Sequence, residues 1–261
     1  MVSLVDRLVG RQVAAGCGDR IAYLDQDGRI SYAELHRAAG RYAARLAAAG
    51  VGPGTRGLVV ADDAIATVVA ILALWWRGAL AVPVSPLLTA AELAFIARDC
   101  RAGFLHVDER AGALAAEAGL AGPGGPVRAG PDWAAVDRPA EPDARWEVPA
   151  PVPPVEIAPA DPVLIQYTSG STGRPKGVLH TATGVDGVLD GFGRVLDLRP
   201  DDTILSTAKL SFGYGFGNSL LFPLAAGARA VLVAGPPDVY RLVTALARYQ
   251  PTVLCTVPRM Y

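Results

Sequence analysis

The sequence predicts an α/β fold in which strands and helices alternate in two sheet–helix lobes. Three observations predict it. Short apolar runs, the length of buried strands, recur between segments of helical periodicity. Two capping boxes mark helix starts. At 51% hydrophobic over 261 residues, the chain is too apolar to be disordered and long enough to bury a large core. The first lobe is expected over 1–150 and the second over 160–261, separated by a Pro-rich excursion at about 119–160.

In order, Ser31-Tyr-Ala-Glu34 forms the first capping box, each residue satisfying the other's backbone N–H. Leu35, Ala38, Ala39, Tyr42 and Leu46 follow at helical spacing and Gly50 is a stop, so a helix is expected over 32–49. Residues 57–61 (GLVVA) read as a strand. Residues 64–76 are uncharged and apolar and end at Arg77; a membrane span needs roughly 18 residues, so this is a buried helix. Residues 79–84 (ALAVPV) read as a strand that Pro83 ends or confines to an edge. Thr89-Ala-Ala-Glu92 is the second capping box, opening a helix to about Cys100, and 103–107 (GFLHV) is another strand. This alternation predicts a parallel sheet covered on both faces. Beyond the Pro-rich stretch, strands are expected at 163–167, 203–206, 228–233 and 252–256. Helices are expected at 181–196 and 237–249, the latter with Pro and Asp in its first turn. The end at Tyr261 leaves the last strand without a covering helix, so the fold is expected to be incomplete at its C-terminus.

Composition excludes several functions. The net charge of −1 gives no electrostatic footprint for nucleic acid or an anionic membrane. Cys17, Cys100 and Cys255 are scattered, which argues against a disulfide framework and for three small buried hydrophobes in a reducing cytoplasm. His36, His106 and His180 form no zinc or iron motif. Asp6, Arg7 and Arg11 stand where a signal peptide needs apolar residues. The basic residues are 22 Arg and only two Lys, Lys176 and Lys209.

Lys176 lies in the most informative segment, 167–180, YTSGSTGRPKGVLH. Glycines 170, 173 and 177 permit close backbone approach to a ligand. Thr168, Ser169, Ser171 and Thr172 supply hydroxyl donors, successive N–H groups can form an anion nest, and Lys176 adds a compact mobile charge. The loop, expected over 168–177, reads as a polyphosphate cradle after a strand. It is neither a Walker A loop nor GxGxxG, so a plain P-loop ATPase is excluded.

The string TSGSTGRPKG resembles the phosphate-loop signature of the AMP-forming acyl/aryl-CoA ligases, the adenylate-forming superfamily. Residues 29–35 (RISYAEL) and 74–86 (LWWRGALAVPVSP) resemble two further elements of that family. The resemblance covers nearly the whole chain but only the first half or so of a full-length member. Within 208–227 (AKLSFGYGFGNSLLFPLAAG), many members carry a His where Phe212 sits, and the pattern here resembles the benzoate-CoA ligase branch.

The resemblance implies ATP, Mg2+ and coenzyme A as cofactors, an aromatic carboxylic acid as substrate, and formation of an acyl-adenylate and then a thioester. It assigns the nucleotide phosphates to Thr168, Ser169, Gly170, Ser171, Thr172, Gly173 and Lys176, the metal to Thr168, and the acid to Phe212, Gly213, Tyr214, Gly217 and Asn218. The family's Tyr-Gly-x-Thr-Glu and Thr-Gly-Asp elements and its catalytic-lysine domain do not occur in the 261 residues, so this chain alone is expected to be inactive. Two other readings stay open: an adenylation domain that loads a carrier protein, and a non-catalytic nucleotide-binding half-fold. Lys209 is open between an anion contact and a solvated surface lysine.

Overall fold

In the computed structural model, residues 3–120, 127–129, 150–169, 174–236 and 238–258 are described. Two sheets form, and both are mostly parallel. The six-stranded sheet has the order β6-β5-β3-β4-β7-β8. Its strands are β3 (Arg56–Val60), β4 (Leu80–Val84), β5 (Phe104–Val107), β6 (Val127–Ala129), β7 (Pro162–Ser169) and β8 (Pro175–Thr181). The five-stranded sheet has the order β11-β9-β10-β1-β2. It comprises β1 (Ile21–Leu24), β2 (Arg29–Ser31), β9 (Thr203–Ser206), β10 (Arg229–Val231) and β11 (Val253–Cys255). Only β2 and β8 run antiparallel to their neighbours, each as the return arm of a hairpin.

The two sheets do not divide where the sequence suggests. β1 and β2 lie early in the chain but pair with β10, whereas β7 and β8 follow the Pro-rich stretch but extend the sheet of β3–β6. Each sheet thus draws strands from both sides of residues 150–160. The Pro-rich stretch is also more than a connector where it is described. It contributes β6, paired with β5. Ile157 is buried, and the Val152 carbonyl accepts a hydrogen bond from Trp76 Nε1 at 2.8 Å.

The apolar run forms the helix Ile65–Trp76, and every residue of it is buried. It sits in the main core with side chains of both sheets, including Tyr23 and Ala230 from one and Val59, Ala81 and Phe104 from the other. Each large apolar side chain so buried contributes about 1.5–3 kcal/mol. Its two tryptophans fix its position, since Trp75 Nε1 donates to the Val163 carbonyl of β7 at 2.8 Å. The Tyr32–Ala48 helix packs beside it, opened by the expected capping box, in which Ser31 N donates to Glu34 Oε2 at 2.7 Å and Glu34 N to Ser31 Oγ at 3.3 Å. Tyr42 of that helix bonds His106 Nδ1 on β5 at 2.9 Å, and burial pushes the His106 imidazole down to about 4, so it is neutral.

Pro83 neither ends β4 nor lies on an edge. β4 is central, and Pro83 pairs with Val59 of β3 on one side. On the other side β4 registers with β7 only at Ala81↔Leu164. The missing N–H of Pro83 therefore falls where β4 and β7 have parted. Cys17 is half-buried rather than core, while Cys100 and Cys255 are buried.

Tyr32 ties the first helix to the other sheet. Its buried hydroxyl lies 2.7 Å from the Ala228 carbonyl and 3.2 Å from that of Pro223. Tyr32→Phe is expected to lower stability by about 1–2 kcal/mol, because a buried donor that bonds the Ala228 carbonyl is lost, while the Pro223 carbonyl keeps the Ala228 amide. Urea unfolding checks this; an unchanged midpoint would mean that the hydroxyl contributes nothing net.

Candidate functional site

The phosphate-loop segment is carried on a β-hairpin. β7 and β8 pair in register from Leu164↔His180 through Thr168↔Lys176 to Ser169↔Pro175. The loop is shorter than the expected 168–177, since Thr168, Ser169 and 175–177 are strand residues. Thr168 and Lys176 are direct cross-strand neighbours, both exposed, at the mouth of the turn. Gly170, Ser171, Thr172 and Gly173, assigned to the phosphates from sequence, lie outside the described residues.

Two cavities border this hairpin, and a larger one adjoins the first of them through Ser211 and Phe212. The parting of β4 from β7 opens a cleft of about 200 Å³, lined by Pro83, Tyr167, Thr168, Pro175, Ser211 and Phe212 among others. A larger cavity of about 730 Å³ lies past the C-terminal ends of β3, β4 and β9, bordered by Asp62, Asp63, Arg110, Lys209 and Phe212. A third, of about 230 Å³, is walled by Phe192, Tyr214, Phe216 and Phe222, with Leu164 and Gln166 of β7 and His180 of β8. Residues 164, 166 and 168 alternate onto one face of β7, so this face runs from the aromatic cavity to the start of the phosphate loop.

The residues assigned to the acid are partly brought together. Gly213, Tyr214 and Gly217 line the aromatic cavity. Phe212 instead borders the other two, with 56% of its surface exposed. Asn218 is fully buried and borders none of the three. Close approach requires glycine at 215 and leaves little room at 213. A Cβ on Gly215 would meet the Lys209 carbonyl oxygen at 2.1 Å, and one on Gly213 would come within 3.1 Å of Gln166 Oε1. The gap at Gly213 is therefore where the Gln166 amide sits. Tyr214 lies beside the Cys255 thiol of β11.

Lys209 is not a solvated lysine. Its side chain is 17% exposed and its Nζ lies 3.4 Å from Asp62 Oδ1, while also donating to the Val233 carbonyl. Asp62 accepts from the Gly235 amide, lies 3.9 Å from Arg110 Nη1, and its own N–H donates to Asp108 Oδ2 at 2.8 Å. Asp63 Oδ1 accepts from the Leu210 amide at 3.0 Å. These contacts clamp the loops after β9 and β10, from one sheet, to the loop after β3, from the other. Asp62, Asp63, Gln166 and His180 were not singled out from sequence. The signals were present: two acids directly after an apolar strand, and the one polar residue of VLIQY.

Fold and crevice define the class, an α/β protein whose candidate ligand site lies beyond the carboxyl ends of parallel strands. The chain belongs to the AMP-binding enzyme family, whose model matches residues 10–261. It is 33% identical over 277 residues to a 3-hydroxybenzoate–CoA/4-hydroxybenzoate–CoA ligase of Thauera aromatica, covering 100% of this chain and 50% of that protein. It is also 33% identical to a p-hydroxybenzoic acid–AMP ligase, FadD22, of Mycobacterium marinum, covering 97% of this chain and 34% of that protein. A benzoate CoA ligase from Burkholderia xenovorans LB400 superposes with a TM-score of 0.87 at 27% identity, over 100% of this chain and 51% of that one. The anthranilate CoA ligase AuaEII, in complex with anthranoyl-AMP, gives 0.85 at 26% over 97% and 48%. The fold is thus the N-terminal part of an adenylate-forming ligase. The chain spans about half the length of the curated CoA ligases it matches. Among the described residues, no helix is long and apolar enough to cross a membrane.

Two outcomes are expected at the clamp. Lys209→Met leaves the largely buried Asp62 with only the exposed Arg110, at 3.9 Å, as a cation and should cost about 2–3 kcal/mol in urea unfolding; a loss below about 1 kcal/mol would place the pair among weak surface bridges. Burial raises the Asp63 carboxyl from 3.8 to about 7, against the pull of Lys209. The native state therefore keeps a proton that the unfolded chain has released. That contribution is complete below the unfolded value and is lost as the pH rises through about 7. Compared with Asp63→Asn, the wild type should lose stability between about pH 4 and pH 8. Unfolding curves that track each other across that range would show Asp63 already ionised in the fold.

Proposed function

We propose that this chain carries the phosphate loop and part of the acid pocket of an enzyme that activates a benzoate-like acid with ATP. The single observation that carries the reading is the shared face of β7. It joins an aromatic-walled cavity, through Leu164 and Gln166, to Thr168 at the mouth of the phosphate hairpin. A flat ring seated there directs its carboxylate toward the nucleotide. A carboxylate oxygen attacks the α-phosphorus, the bond to the β-phosphate bridging oxygen breaks, and pyrophosphate leaves with an acyl-adenylate formed. A thiol, that of coenzyme A, then displaces AMP to give the thioester.

The residues of this chain act on the first step by positioning and charge neutralisation. Lys176 and the hydroxyls and amides of 168–173 hold the β- and γ-phosphates, each charged hydrogen bond contributing about 1.5–3 kcal/mol. The exposed Thr168 hydroxyl is a hard oxygen donor, and one such oxygen together with phosphate oxygens is a set that Mg2+ accepts. The 56%-exposed Phe212 stands between the hairpin cleft and the 730 Å³ cavity, where it shields the reacting carboxylate from water. Thioester formation is a property of the whole enzyme and calls on family elements absent from these 261 residues. The chain alone is therefore proposed to bind without completing the reaction. A second acceptor, a carrier-protein thiol, is the alternative reading, since the similarity to a p-hydroxybenzoic acid–AMP ligase supports the first step and is compatible with either thiol. The enzyme is read as cytoplasmic.

The test is ligand-dependent stabilisation of the purified chain and pyrophosphate exchange by the full-length enzyme carrying it. ATP together with a benzoate should raise the melting temperature. Lys176→Ala should reduce exchange at least about tenfold, as expected for loss of one charged contact. An unchanged exchange rate would remove Lys176 from the phosphate site. Robust exchange by the 261 residues alone would overturn the need for the rest.

A further inference from the structure

The phosphate hairpin parts from the rest of its sheet before it reaches its turn. β4 registers with β7 only at Ala81↔Leu164, so residues 165–169 are in register with β8 alone. On the face opposite Thr168, Ile165 and Tyr167 pack against the core shared by β3, β4, β5 and the Ala90–Asp99 helix. The Tyr167 hydroxyl then reaches that helix and donates to Asp99 Oδ2 at 2.5 Å. Two details mark this contact as built. Asp99 is the last residue of its helix, where a carboxylate opposes the helix dipole and gains from a nearby donor. Gly177 lies directly across the hairpin from Tyr167. A Cβ at 177 would come within 3.1 Å of Tyr167 Cζ and 3.3 Å of its hydroxyl oxygen. Glycine weakens a strand interior, and the ring lying over it accounts for its place in β8. Burial, and then the bond to Asp99, hold the Tyr167 phenol well above its usual value, so it keeps its proton and donates throughout the neutral range.

We propose that Tyr167 is a positioning residue for the phosphate site: bonded to Asp99, it fixes the angle of the hairpin and so the places of Thr168 and Lys176. Thr168 follows Tyr167 on β7 and Lys176 precedes Gly177 on β8, so each is one peptide from the tether. The same bond joins the two sides of the cleft of about 200 Å³, whose walls include Tyr167 and Thr168 on the hairpin and Glu92 and Ile96 on the helix. Glu92, Ile96 and Asp99 are spaced four and three residues apart, so they share one helix face. A hairpin without the tether keeps Thr168 and Lys176, but the nucleotide must order them as it binds, which weakens binding. The inference rests on the phosphate-loop reading above.

The experiment is pyrophosphate exchange by the full-length enzyme, with the concentrations of ATP and of benzoate varied separately. Tyr167→Phe removes only the hydroxyl. It should raise KM for ATP about fivefold, as for loss of one net hydrogen bond, and leave KM for the acid within about twofold of wild type. Asp99→Ala, at an exposed position, should give the same change, and the double variant no more than either alone. Asp99→Asn keeps an acceptor oxygen and should recover most of the affinity for ATP. An unchanged KM for ATP in Tyr167→Phe, or single effects that multiply in the double variant, would overturn the tether. So would a fall in kcat with both KM values in place, the mark of a merely structural role. Lys176→Ala separates the two conclusions. If it raises KM for ATP while Tyr167→Phe does not, the tether alone fails; if neither does, the phosphate-loop reading falls with it.

Discussion

Burial of one helix on every side organises this protein. Ile65–Trp76 has no polar face, so it is stable only where sheets and helices close around it completely. That demand explains why the two sheets share a single core. It also explains the two tryptophan N–H bonds, which anchor the helix end to β7 and to the last part of the Pro-rich stretch. β7 is the strand that leads into the phosphate hairpin. The position of β7 is therefore set by packing against an apolar helix.

The clamp around Asp62 and Lys209 solves a different problem. Past the carboxyl ends of the strands the apolar core has ended, and loops from both sheets must still meet. Short polar contacts do this: Lys209 to Asp62 and Val233, Gly235 to Asp62, and Leu210 to Asp63. Because Lys209 also supplies the backbone oxygen that Gly215 packs against, the same residue fixes where the Gly213–Phe216 turn begins. Phe212 and Tyr214 flank that start and face different cavities. The charged network thus sets the spacing between Phe212 and Tyr214 without lining the aromatic cavity itself.

Local rules made much of this legible in the sequence. Capping boxes, apolar runs and the TSGSTGRPKG string each depend on residues within a few positions of one another, and the structure has both boxes and a strand at each apolar run so read, while β1, β2, β6 and β8 carry no such local signal. The pairing of distant segments was not legible. No local signal says that β1 joins β10, or that β7 adds to β4, because register between parallel strands is decided by packing across the core. Pro83 was misread for that reason: its tolerance in a central strand depends on where a strand 80 residues later diverges. Lys209 is similar, since a charge acquires meaning only from the partners that surround it.

The exchange of strands between the sheets has a kinetic consequence. Tyr23 of β1 pairs with Ala230 of β10, so the five-stranded sheet cannot close until about 200 further residues have left the ribosome. Meanwhile β1 and β2 can form only a hairpin, which is marginal on its own. Contacts of such long sequence range make folding slow and expose strand edges along the way. In the finished molecule the same exchange threads the lobes together, so neither sheet can detach without first surrendering strands that belong to the other half of the chain.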